Sequence, residues 1–141
     1  DPNREETFSA AKGVGTLLNG RPIKTSGETR TSMAMAMASL PIGAAATDPA
    51  VNRFLKSMSH LQTVQRSGSA AMNLACLACG RIDAFWSTSL KPWDMAAGVL
   101  LVQEAGGVVT AIDGSPIDIM VPSLLAASSE KIATDLVTIL A

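Results

Sequence analysis

Two stretches near the middle of the chain constrain its fold most. Ser69–Cys79 carries only Ser69 and Asn73 as polar side chains, and Pro92–Ala105 carries only Asp94, Gln103 and Glu104. Both have helical length, and both end on glycine: Gly80 after the first, Gly106-Gly107 after the second. A helix that is apolar around its circumference is covered on several sides, so both segments are predicted to be interior elements of a layered structure. The 141 residues are enough for one domain with its own core.

The remaining segments supply the layers. Glu6–Ala11 has strand character. Thr16–Leu18 meets the turn Asn19-Gly20 and returns through Arg21–Lys24, a hairpin signature. Met33–Ala38 alternates methionine with alanine, a strand whose small face is approached closely by another element. Asp48-Pro49 then caps a helix with Val51, Phe54, Leu55, Met58 and Leu61 on one face. Gln62–Arg66, Ile82–Trp86, Val108–Ile112 and Leu124–Ser128 read as strands, and Ser129–Leu140 as a terminal amphipathic helix. From residue 33 onward strands and helices alternate, which predicts an α/β domain with a largely parallel sheet.

Composition excludes several classes. Charged residues make up 16% of the chain, against ~25% in typical soluble proteins. With a mean hydropathy of +0.29 this excludes disorder and points to more apolar surface than one small domain hides. A net charge of −1 with scattered basic residues leaves no footprint for nucleic acid. The longest run without a polar side chain, Met95–Val102, has eight residues, far short of the ~20 that span a membrane. No basic segment followed by an apolar one opens the chain, and two cysteines make no disulfide framework, so a cytoplasmic setting is expected. Asp1–Glu5 reads as the middle of a turn with no preceding Met, the expected mark of a processed or truncated longer protein.

Four features carry candidate chemistry. Asp94 lies in the first turn of an apolar helix, where an ionised carboxylate is costly unless it caps, pairs or binds metal. It serves either the helix dipole or a hard cation such as Mg2+, which takes one or two carboxylates together with phosphate oxygens and water. Gly68-Ser69 opens the other apolar helix, either as a plain N-cap or as backbone that a ligand can approach. Cys76 and Cys79 form a CxxC at the wrong end of a helix for redox chemistry and read as core residues. His60, the single histidine, is read as lying near the C-terminus of a surface helix, with no catalytic partners.

These residues also fit a known pattern. Lys91-Pro92-Trp93-Asp94-Met95-Ala96-Ala97-Gly98, running on to Glu104-Ala105-Gly106-Gly107, resembles the WDxAAG…EAGG motif of the inositol monophosphatase family. Arg66-Ser67-Gly68-Ser69-Ala70-Ala71 resembles its RxGSAA segment, and Gly80-Arg81-Ile82-Asp83-Ala84-Phe85-Trp86 its GRxDxxW strand. Ala11–Gly15 with Asn19-Gly20 resembles its AxKGxGA…NG hairpin. The DPxDGT and GEE metal motifs of the family's N-terminal half do not occur.

The resemblance implies the C-terminal, mixed-sheet α/β domain of a layered α-β-α-β-α sugar phosphatase, with the N-terminal metal-binding half outside the chain. It implies a Mg2+-dependent, lithium-sensitive, homodimeric enzyme that hydrolyses a small phosphate monoester with metal-activated water. Asp94 would be this half's metal ligand. Gly68, Ser69 and Ala70 would contact substrate. Ser87 stands where many members carry a substrate-binding Glu. A neutral hydroxyl cannot replace a carboxylate that accepts two hydrogen bonds, which weakens the case for inositol. Another sugar phosphate, histidinol phosphate or a 3′-phosphonucleotide then enters as substrate. Lys91 is read as a solvated lysine. The isolated chain is expected to lack activity and to expose an apolar patch where Asp94 and Gly68 meet. The competing reading is a catalytically inactive binding or assembly module.

Overall fold

The computed structural model describes residues 1–141. Strands β1 (Phe8–Ala11), β2 (Gly15–Leu18) and β3 (Arg21–Ile23) form a three-stranded antiparallel meander. Asn19 and Gly20 both take positive φ (49° and 75°), as a two-residue hairpin turn with the right-handed strand twist requires, and Leu18 pairs with Arg21 across it.

The second sheet has the order β5-β4-β6-β8-β7. Its strands are β4 (Met35–Ser39), β5 (Thr63–Gln65), β6 (Ala84–Ser87), β7 (Val108–Thr110) and β8 (Leu124–Ala127). Helices α1 (Pro49–Ser57), α2 (Ala70–Ala78), α3 (Pro92–Glu104) and α4 (Glu130–Leu140) alternate with them. β4 pairs parallel with β5 and β6, but β8 runs antiparallel to both β6 and β7. The sheet is therefore mixed, where strand–helix alternation alone predicts it largely parallel. The reversal comes from residues 111–123, which contain no helix. Without a helical crossover the chain doubles back and enters the sheet in the opposite direction.

Each face of this sheet carries its own core. Ala34, Ala36 and Ala38 are fully buried against α4, whose Ile132, Leu136 and Leu140 share a cluster with Leu61, Trp86 and Leu125. The small face predicted for the Met/Ala alternation is thus the face that α4 covers. The opposite face carries Leu74 and Leu77 of α2, Met95, Val99 and Val102 of α3, and Phe85 and Leu124 of the sheet. α3 also reaches the meander: the Thr16 hydroxyl, itself buried, donates to the Leu101 carbonyl at 2.7 Å. α3 therefore lies between the two sheets, with α2 packed beside it.

Their burial is less complete than their composition predicts. Ala71, Ala96 and Ala97 are exposed, and Trp93 is 80% exposed at the start of α3. α1 also departs from expectation. Its Asp48 cap forms, with the carboxylate accepting from the Ala50 N–H, but Leu55 is exposed on the helix and Met58 at its end. The helix stops at Ser57, which places His60 in the following turn.

Candidate functional site

β4 and β6 end side by side at Ser39 and Ser87, and the N-termini of α2 and α3 arrive at the same edge. Ligands in open α/β sheets bind outside the carboxyl ends of such strands. Here the edge holds an open cleft of about 400 Å3. Gly68 lines it from the turn before α2, Ala70 from α2, Asp94 from α3, and Leu40, Ile42 and Leu90 from the loops after β4 and β6. The structure thus brings Gly68, Ala70 and Asp94 together in one cleft, whereas Ser69 and Ser87 are not in its lining.

Asp94 is the third residue of α3. Its Oδ2 accepts from the Lys91 N–H at 2.8 Å, and its own N–H donates to the Lys91 carbonyl at 2.9 Å. The carboxylate therefore caps its own helix, and Oδ1 makes no hydrogen bond within the protein. A capping role and a ligand role are compatible because they use different oxygens. Pro92 at the first helical position needs no hydrogen-bond acceptor, which helps to start the helix here.

Ser69 caps α2 by accepting from the Met72 N–H at 3.4 Å. Gly68, at φ +88°, turns the chain into the helix, and a Cβ there would meet nothing within 4 Å. The first turn of α2 leaves the N–H groups of Ala70 and Ala71 without backbone acceptors. Ser87 is 1% exposed and does not line the cleft. Its hydroxyl accepts from the N–H of Ser89, which does. Arg66 brings the cleft's positive charge, and its side-chain hydrogen bond is a long one, 3.5 Å from Nη2 to the Leu40 carbonyl. Lys91 is exposed and not part of the lining.

Three motif residues serve structure in ways the sequence alone did not reveal. The Glu104 carboxylate accepts from the N–H groups of Gly13 and Gly15, at 2.9 and 3.0 Å, and so clips the hairpin turn to the end of α3. Arg81 forms a bidentate pair with Glu6, both contacts at 2.6 Å. Asp83 accepts from the Ser26 hydroxyl and from the Met35 N–H, joining the loop after β3 to the start of β4. These partners lie 48 to 91 residues away in sequence, and no local signal marks them.

The Gly13 N–H first, and then that of Gly15, lowers the Glu104 pKa below its ordinary 4.5. A depressed carboxylate pKa contributes stability that is present above about 4.5 and lost as pH falls through the lower folded value. The Gly13 and Gly15 amide resonances should therefore hold steady as pH falls to about 4.5 and shift together only below it. In Glu104→Gln that acid transition should disappear from both amides.

Other candidates recede. Burial raises the Cys79 thiol pKa, the reverse of what thiol exchange needs, and its Sγ lies against the Cys76 carbonyl at 3.4 Å. No group of three His, Cys, Asp or Glu side chains is arranged to hold a metal ion.

Comparison with known proteins places this geometry. A family model described as the inositol monophosphatase family matches residues 1–141. An inositol-1-monophosphatase from Synechocystis is 39% identical over 131 residues, covering 92% of this chain and 46% of that protein. The Nus factor SuhB of Pseudomonas aeruginosa is 42% identical over 118 residues, covering 82% of this chain and 44% of the relative. An inositol monophosphatase structure from Anabaena superposes with a TM-score of 0.90 at 37% identity, over 99% of this chain and 56% of that one. A SuhB structure from Bartonella henselae gives 0.92 at 32% identity, over 99% and 53%. The chain spans about half the length of the curated relatives it matches.

Proposed function

Because this chain belongs to the inositol monophosphatase family, we propose that it forms the C-terminal half of a Mg2+-dependent phosphatase acting on small phosphate monoesters. The observation that carries the reading is Asp94: one oxygen caps α3, while the other is uncommitted beside a cleft shared with the start of α2. A single carboxylate suits Mg2+, which completes its shell with water, substrate phosphate and, on this reading, carboxylates of the N-terminal half. When bound, the metal would supply charge neutralisation and a nucleophilic water.

The chain's own residues hold and orient the ester. The free N–H groups of Ala70 and Ala71, at the positive end of the α2 dipole, attract an anion or donate to a substrate hydroxyl oxygen. Gly68 keeps bulk away from that approach, and Ser69 holds the helix start by accepting from the Met72 N–H. Leu40, Ile42 and Leu90 offer the substrate apolar contact. Homodimerisation, lithium sensitivity and a cytoplasmic location belong to the same reading and rest on family membership alone.

One observation favours a second substrate class. Asp94 is the only carboxylate in the cleft lining, which also holds Leu40, Pro41, Ile42 and Leu90, whereas a polyol needs several acceptors. With Ser87 below the surface, a heteroaromatic leaving group, as in histidinol phosphate or a 3′-phosphonucleotide, fits this half better than inositol does. The test is phosphate release by the full-length protein from both classes of ester, with and without Mg2+. Mg2+-dependent release is expected, with a preference of about tenfold or more for the better-fitting class. No release from any ester would reject the phosphatase reading and favour a binding or assembly module.

A further inference from the structure

The least explained polar group in the chain is Asn73. It sits one turn inside α2, 3% exposed, among Leu74, Ala75 and Leu77. Its Nδ2 is buried with no hydrogen-bond partner. Its Oδ1 accepts from the hydroxyl of exposed Ser67 at 2.6 Å, and Ser67 Oγ in turn accepts from the Ser69 N–H at 3.3 Å. A buried amide with one satisfied end is a poor core residue, because an apolar side chain of the same size leaves no donor stranded. What Asn73 provides is an anchor inside the protein for a loop outside it.

We propose that Asn73 is a positioning residue: through Ser67 it holds Arg66–Ser69 so that the first-turn N–H groups of α2 meet the phosphate ester. This deepens the phosphatase reading and rests on it. Gly68 needs such an anchor. At φ +88°, with open space within 4 Å of where its Cβ would be, no neighbour on that side holds the turn. The Ser67 hydroxyl, fixed from below by Asn73, takes up the Ser69 N–H and sets the direction in which the chain enters the helix. Without it the loop samples other entries, and the Ala70 and Ala71 N–H groups are less often aligned. The cost falls on substrate binding, since neither residue touches the reacting atoms.

The test uses the full-length protein with Mg2+ and its best ester. Ser67→Ala, at an exposed site, should raise KM about five- to tenfold with kcat within about twofold, and Ser67→Thr should restore KM. Asn73→Leu should raise KM by a similar factor while the melting temperature stays level or rises. The double variant should be no worse than either single one. Amide hydrogen exchange supplies a readout independent of activity: the Ser69 N–H should exchange about tenfold faster in Ser67→Ala and Asn73→Leu. An unchanged KM in Ser67→Ala, or a fall in both stability and kcat in Asn73→Leu with KM unmoved, would overturn the positioning role and leave the phosphatase reading intact. A wild-type protein with no Mg2+-dependent turnover would overturn both.

Discussion

Asp94→Asn in the full-length protein is expected to lower Mg2+-dependent phosphate release by about 10^3-fold or more, with little change in folding stability. The two halves of this expectation come from the two oxygens. Oδ2 accepts from the Lys91 N–H, and the amide oxygen of asparagine can do the same, so the start of α3 stays capped. The variant loses only the favourable placement of a negative charge in the first helical turn, on the order of 0.3–1 kcal/mol. A neutral amide is a much poorer Mg2+ ligand than a carboxylate, and metal charge stabilisation is worth several kcal/mol in a phosphoryl transition state. Phosphate release and thermal unfolding on the same preparation separate the roles. Full activity would remove Asp94 from the metal site and leave it a helix cap. Loss of activity together with loss of fold would show that the cap cannot tolerate the exchange.

Gly98→Ala is expected to cost about 2–3 kcal/mol, roughly a 5–10 °C fall in melting temperature. α2 and α3 cross at this glycine. A methyl there would lie 2.6 Å from Leu74 Cβ and closer still to Leu74 Cδ1. The Cδ1 atom can rotate away, but Cβ moves only with the α2 backbone. Leu74 is fully buried, and beneath it the core includes Phe85 and Met95, so the helices have little room to separate. A fall of less than about 2 °C would mean that the two helices slide freely. Because both carry residues of the candidate cleft, that result would also weaken the case for a preformed site.

Elements with local chemistry at their ends were legible in the sequence. Asp48-Pro49 and Ser69 each start a helix where a side-chain oxygen can reach a free N–H, and Asn19-Gly20 turns a hairpin because both residues accept positive φ. The Met/Ala alternation showed which face of β4 would be covered. What escaped depended on distance along the chain. The reversal of β8 follows from a connection that lacks a helix, which strand propensities do not report. Glu104 and its glycine partners were visible as two motifs, yet nothing in either motif joins residue 104 to residues 13 and 15. Asp94 was singled out because a carboxylate opens an apolar helix, but the division of its oxygens, one capping and one uncommitted, appears only when Lys91 N–H and the cleft are seen together. Ser87 was placed at the substrate by its motif position. In the fold its side chain is buried, and it reaches the cleft only through Ser89.

The central claim is that this chain carries half of a divided catalytic site. The most direct measurement is Mg2+-dependent phosphate release, per mole, from the full-length protein and from the 141-residue chain alone, over one set of phosphate esters. Turnover by the full-length protein and none above background by the 141-residue chain is the predicted result. Equal turnover by both, or none by the full-length protein, would contradict it.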